Sequence, residues 1–218
     1  MQQNANQCYA KMEKILRGVV EFRKHDFEKH KALFRKLGKK QQPHTLFIGC
    51  SDSRVDPNLI TRSLPGELFI IRNIANIVPQ YRESGEYLAT TSAVEYAIQA
   101  LNVQHIVICG HSNCGGCAAL YLPENAFQTM PHTRRWLEQA KVVRQRVELN
   151  PEAADPAARE WLTEQENVVQ QMKNLLSYPF IRERYKAGTL KIHGWYYIIR
   201  SGQVLAYNIE KGYFEEME

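Results

Sequence analysis

The chain has 218 residues, 44% hydrophobic and 23% charged, and its 28 Lys and Arg against 23 Asp and Glu give a formal net charge of +5. This is the composition of an ordinary soluble globular protein, and the basic residues cluster only in pairs such as Lys39-Lys40 and Arg134-Arg135, so no nucleic-acid groove is expected. No apolar run approaches the roughly 18 residues that span a bilayer, and the polar start Met1-Gln2-Gln3-Asn4 lacks the core of a secretory signal, so no membrane association is expected and a cytoplasmic location is.

After a polar, flexible tail of about residues 1–11, Met12, Ile15, Leu16, Val19 and Phe22, then Leu33, Phe34 and Leu37, recur at three and four. That spacing predicts one or two amphipathic helices over 9–38, a helical arm over about 12–40 whose apolar face needs either the protein's own sheet or another subunit. Residues 44–50 and 67–72, the second after the turn signal Pro65-Gly66, have the length and composition of buried parallel strands. Leu88, Thr91, Val94, Glu95, Ile98 and Leu101 give a helical period, and 103–109 supply a third strand. Beyond Gly115-Gly116 the pattern is helical over about 115–122, 132–149 and 155–187, with breaks marked by Pro123, Pro131, Pro151 and Pro179. Residues 189–199 and 203–209 flank Ser201-Gly202 as a hairpin. The expected fold is α/β: a mainly parallel central sheet flanked by helices, with an N-terminal helical arm and a C-terminal hairpin completing the sheet. No repeat or linker divides the chain, so one domain over 1–218 is expected.

Five cysteines, three of them between Cys109 and Cys117 beside His111, favour a reduced compartment and metal or redox use over a disulfide framework. In open α/β sheets, functional groups collect where strands pass into loops at their carboxyl ends, and both Cys50 and Cys109-Gly110-His111 occupy such ends. If the first and third strands are neighbours, Cys50, His111 and Cys114 converge as two sulfurs and a nitrogen, a donor set suited to zinc that leaves a fourth position for water. Cys114 precedes Gly115-Gly116 and a helical stretch, so a helix N-terminus is expected to favour its thiolate. Asp52 and Arg54 share strand parity with Cys50, and a carboxylate held by Arg54 stays ionised and can orient a zinc-bound hydroxide. As a fourth ligand Asp52 would instead close the site, and the spacing leaves both uses open. Cys114 and Cys117 also match a Cys-x-x-Cys redox pair, although Cys117, like Cys8 and Cys109, is more simply a packing residue.

Several ordered motifs resemble the β-class carbonic anhydrases: Cys50-Ser51-Asp52-Ser53-Arg54-Val55, Pro65-Gly66-Glu67-Leu68-Phe69, Arg72-Asn73-Ile74-Ala75-Asn76 and Gly110-His111-Ser112-Asn113-Cys114-Gly115-Gly116. The resemblance continues through Asn174-Leu175-Leu176-Ser177-Tyr178-Pro179 and His193-Gly194-Trp195, so it covers roughly residues 12–210 in order. It implies a zinc enzyme, one Zn2+ per subunit, interconverting carbon dioxide and bicarbonate, with Cys50, His111 and Cys114 as ligands and Asp52 with Arg54 as the catalytic dyad. It also implies a homodimer or higher oligomer with sites at the subunit interface and the helical arm laid on its neighbour. The family has an open-site, plant-like form and an inhibited form that typically carries a tryptophan at the position of Phe47, so the open form is favoured. In that form Phe69, Ile74, Tyr96 and the Gly115 amide line the substrate pocket, and Gln41 reaches it from across the interface.

The expected chemistry is attack of zinc-bound hydroxide on carbon dioxide. Two thiolates make the metal a weaker Lewis acid than three histidines do, so activity should rise towards alkaline pH. Two rivals stand beside this reading: hydrolysis of carbon disulfide or carbonyl sulfide, and a non-catalytic zinc-stabilised oligomeric module in which Asp52 completes a closed site.

Overall fold

The apolar runs bounded by turn residues form a six-stranded sheet: β1 (Thr45–Cys50), β2 (Leu68–Asn73), β3 (His105–His111), β4 (Lys191–Tyr197), β5 (Val204–Asn208) and β6 (Tyr213–Glu216), in the order β2-β1-β3-β4-β5-β6. The computed structural model describes residues 2–83 and 88–217, with side chains from residue 10 onward, so the Cys8 side chain lies outside those described. The chain divides into two compact units, Met1–Gln41 and Gln42–Glu218.

In the second unit β1 lies parallel to both β2 and β3, and β3 parallel to β4, while β5 and β6 add antiparallel. Every residue of β1 is buried because both faces of the sheet are covered. On one face Leu46, Ile48, Ile106 and Ile108 pack with Val94, Ala97 and Ile98 of the helix Leu88–Gln99 and with Val168 and Leu175 of the helix Pro156–Leu175. On the other, Phe47, Val107 and Cys109 cluster with Trp195, whose ring meets Phe47 edge-on at 6.2 Å. The direct pairing of β1 with β3 brings the ends of these strands together, which is the condition for Cys50 and His111 to meet.

Three local differences from the sequence reading have clear causes. β3 runs on to His111, since β4 pairs with it through Gly110↔Tyr196 and His111↔Tyr197. The strand β6 was not anticipated; it follows the left-handed Gly212 (φ 77°) and its pairing with β5 is non-local. The helical stretch 132–149 is interrupted, as Pro131–Leu137 and Lys141–Glu148 are joined by a 3-10 turn, Glu138–Ala140. Asp155 caps the helix Pro156–Leu175 by accepting from Ala158 N–H at 3.1 Å, and a new helix starts at Pro179.

The first unit is helical from Gln2–Glu21, a span that includes the polar stretch read as a tail, through one π-helical turn, Phe22–Asp26, to Phe27–Lys29 and Lys31–Leu37. Stacking of Phe27 on Phe34, 5.3 Å between centroids, ties its last two helices together.

Candidate active site

Cys50 is the last residue of β1, His111 the last of β3, and Cys114 follows a turn in which Asn113 takes a left-handed φ of 59°. The candidate ligand atoms of these three buried residues all lie within 4.8 Å of one another. His111 Nδ1 lies 3.0 Å from the Ser112 carbonyl oxygen, to which it donates, so the Nε2 lone pair is free. That Nε2 is buried and without a hydrogen-bond partner. An orphaned imidazole nitrogen facing two sulfurs fits a soft or borderline cation such as zinc.

Without such a charge the thiols resist ionisation. The Cys50 thiol is pushed up to about 12, first by its hydrogen bond with Cys114 and then by burial. Cys114 is pushed up too, chiefly by its hydrogen bond with Cys117. The lowering expected of a helix N-terminus is present but outweighed: the Cys117 backbone N–H, in the first turn of the helix Gly115–Ala118, pulls Cys114 down, while the Cys117 thiol and burial push it up further. A cation among the sulfurs inverts this balance.

Asp52 and Arg54 reach the same place by another route than strand parity. The strand ends at Cys50 and the chain turns, with Val55 N–H donating to the Asp52 carbonyl at 3.0 Å. Arg54 grips the carboxylate in a fork, Nε to Oδ1 at 2.9 Å and Nη2 to Oδ2 at 2.7 Å, and its own amide donates to Oδ1 at 3.0 Å. The guanidinium holds the Asp52 carboxyl well below the usual carboxylate range. Oδ2 lies 4.0 Å from His111 Nε2. Arg54 Nη2 also donates to the Asn113 carbonyl at 3.0 Å, which links the two loops that carry the cysteines.

The remaining predicted residues are placed less uniformly. The rings of Phe69 and Tyr96 lie 6.0 Å apart. Ile74 begins a 3-10 turn with left-handed Ala75 (φ 59°), and this turn crosses so close to Gly116 that a Cβ there would stand 2.8 Å from Ala75 Cβ and 3.0 Å from Ile74 Cγ2. Ile74 and Tyr96 are 42% and 49% exposed, large values for apolar side chains. Gly115 is exposed at the start of its helix. Gln41 is exposed and belongs to the first unit.

Two further residues stand at the site: Arg72, which the sequence reading named in a family motif without a defined role, and Glu164, which it did not name. Arg72 donates from Nε to the Cys50 carbonyl at 3.0 Å and from Nη2 to the Asp52 carbonyl, tying down the segment between them. Its signal lay in strand pairing, which sets Arg72 opposite Gly49. Glu164 is buried and accepts from Cys114 N–H at 2.7 Å and from Tyr196 O–H at 2.6 Å; burial pushes its carboxyl up to about 7 against the pull of these donors. Its signal was a polar series at helical spacing, Glu164, Asn167, Gln171 and Asn174.

Known proteins share this arrangement of strands and loops. The family model described as carbonic anhydrase matches residues 45–204. A carbonic anhydrase of Helicobacter pylori strain J99 is 44% identical over 204 residues, which are 92% of this chain and 92% of that protein. One from Synechococcus elongatus is 41% identical over 196 residues, 89% of this chain and 71% of that protein. Among solved structures, the β-carbonic anhydrase CcaA superposes with a TM-score of 0.91 at 38% identity, over 96% of this chain and 93% of its own. A tetrameric β-carbonic anhydrase of Sordaria macrospora superposes with a TM-score of 0.77 at 32% identity, over 90% of this chain and 96% of its own. Matched by the family model over most of its length and by relatives over nearly all of it, the chain belongs to the β-class carbonic anhydrase family and is an enzyme of that family.

Proposed function

We propose that this enzyme interconverts carbon dioxide and bicarbonate with one zinc ion per subunit, held by Cys50, His111 and Cys114. The observation that carries this reading is the buried, unpartnered His111 Nε2, set within 4.8 Å of two sulfurs and 4.0 Å from a carboxylate gripped by an arginine. A zinc ion in that position lowers the pKa of a water on its open side and so supplies a nucleophile near neutral pH.

The chain's own residues do the rest. Arg54 occupies both oxygens of Asp52, which keeps the carboxylate ionised and supports the open-site reading. Oδ2, turned towards His111, is the acceptor that orients the proton of the attacking water. Phe69, Ile74 and Tyr96 offer apolar surface to a small uncharged substrate. The Gly115 amide, with Gln41 from a second copy of the chain, donates to the oxygens on which charge grows.

In this reading residues 1–218 form one functional domain, with about 12–40 as an arm that lies on a second copy. Exposed Met12, Ile15, Leu16 and Val19 on the helix Gln2–Glu21 support self-association as a dimer or higher oligomer. Among the described residues no helix is long and apolar enough to cross a membrane, and Cys50, Cys109, Cys114 and Cys117 are free, which suits a reducing compartment such as the cytoplasm.

Stopped-flow hydration of carbon dioxide by the zinc-loaded protein is expected to show turnover that rises from neutral to alkaline pH. Absence of turnover across that range sinks the reading. Cys50→Ala and His111→Ala are expected to lose stoichiometric zinc, and Asp52→Asn to lose on the order of 10²-fold in kcat while keeping the metal. Retained zinc with full activity in either ligand variant refutes the ligand set.

A further inference from the structure

We propose that Glu164 is a positioning residue of the metal centre: its buried carboxylate fixes the Cys114 turn and, through the Asn113 peptide, the Arg54–Asp52 pair. This rests on the reading of Cys114 as a zinc ligand. Glu164 is 2% exposed on the helix Pro156–Leu175, and no cation is bonded to it among the described residues. A carboxyl group is costly to bury, and packing alone is served better by an apolar side chain.

What Glu164 holds explains its presence. Oε1 accepts the amide hydrogen of Cys114 at 2.7 Å, and Oε2 accepts the hydroxyl of Tyr196 at 2.6 Å. Tyr196 is fully buried on β4, with the Trp161 ring edge-on to it at 4.8 Å, so the carboxylate is clamped between a helix and the sheet. One helical turn earlier, Glu160 Oε1 accepts from Asn113 Nδ2 at 2.9 Å. The helix therefore offers two carboxylates to one two-residue turn, the inner on the backbone of Cys114 and the outer on the side chain of Asn113.

That turn is also where Arg54 docks, through its 3.0 Å hydrogen bond to the Asn113 carbonyl. The Cys114 sulfur and the Asp52 carboxylate thus take their positions from a common support. An acceptor oxygen faces Cys114 N–H whether or not the carboxyl group is protonated, so the role is geometric. Partners that orient metal ligands in this way are typically worth about 10- to 100-fold in metal affinity or activity.

The test uses the full-length protein with Glu164→Ala, Glu164→Gln and Glu164→Asp. Zinc affinity is measured by competition with a chromophoric chelator, and ligand geometry by the thiolate-to-metal absorption of the cobalt-substituted protein. Glu164→Ala is expected to weaken zinc binding about 10- to 100-fold and to shift the cobalt spectrum, with kcat falling more than KM changes. Glu164→Gln, whose amide oxygen still accepts from Cys114 N–H, is expected to restore both within a few fold, and the shorter Glu164→Asp to restore neither. A folded Glu164→Ala with affinity and spectrum within about twofold of the parent overturns the proposal. If the alanine variant does not fold, equal affinities and spectra in the Gln and Asp variants overturn it. Zinc retained in Cys114→Ala overturns the ligand reading itself, a result separate from indifference at Glu164 in a protein that binds zinc normally.

Discussion

His193, on β4, lies with Nε2 3.2 Å from Nδ1 of His105, at the opposite end of β3 from His111. The cavity beside the pair is lined also by His44, Arg62 and Glu67. Burial, helped by His105 and Lys191, holds the His193 ring below its ordinary value of 6.5. The unfolded chain therefore takes up a proton near pH 6.5 that the folded chain resists. Between that pH and the lower folded value the unfolded state binds more protons, so stability falls as the pH drops below about 6.5. Urea denaturation at pH 7.5 and 5.5 is expected to show a smaller acid loss in His193→Gln than in the parent; equal losses remove His193 from the account. The residue types here were readable from sequence, but their pairing was not. Strand register alone sets Val107 beside His193 and His105 beside Lys191.

Among the elements, the helix Pro156–Leu175 organises more of the site than its pattern announced. Asn167 Nδ2 donates to the Ala75 carbonyl at 2.9 Å, Gln171 Oε1 accepts from Val78 N–H at 2.9 Å, and Asn174 Nδ2 donates to the Val78 carbonyl at 2.8 Å. The amides also bond one another, Gln171 to Asn167 at 2.8 Å and Asn174 to Gln171 at 3.0 Å. The segment they grip follows β2, carries Ile74, and has left-handed Ala75 and Asn76, so its buried backbone groups have no strand to pair with. Replacing Gln171 by Leu leaves the Val78 amide unmet and is expected to cost about 1–3 kcal/mol. The measurement is the shift in denaturation midpoint at constant m-value, and a loss below about 0.5 kcal/mol counts against the stripe. A polar series on a buried helix looks solvated in sequence, because its partner is irregular backbone some ninety residues away, such as Val78 for Gln171.

For the molecule as a whole, the proposal that the arm lies on a second copy concerns a surface that is open in the single chain. Ile15 and Val19, one turn apart on the helix Gln2–Glu21, are each 62% exposed. If they are covered on assembly, Ile15→Glu with Val19→Glu is expected to shift the sedimenting species towards the monomer. Activity should fall with it, because in the proposed function Gln41, which follows the arm, reaches the pocket of a second copy. An unchanged sedimentation coefficient with full activity counts against this.

By itself the sequence determined the α/β class and three of the parallel strands, and it marked Cys50, Asp52, Arg54, His111 and Cys114 as the proposed chemical centre, since apolar runs of strand length and sulfur–nitrogen spacing are local properties. The adjacency of β1 and β3 that brings the donors within 4.8 Å was decided only in three dimensions. So were the turn after Cys50, which swings Asp52 to His111, and the hydrogen bonds that Arg72 and Glu164 make to the two loops. Each depends on hydrogen bonds between segments far apart in the chain, and local patterns carry no information about such pairings until the sheet is assembled.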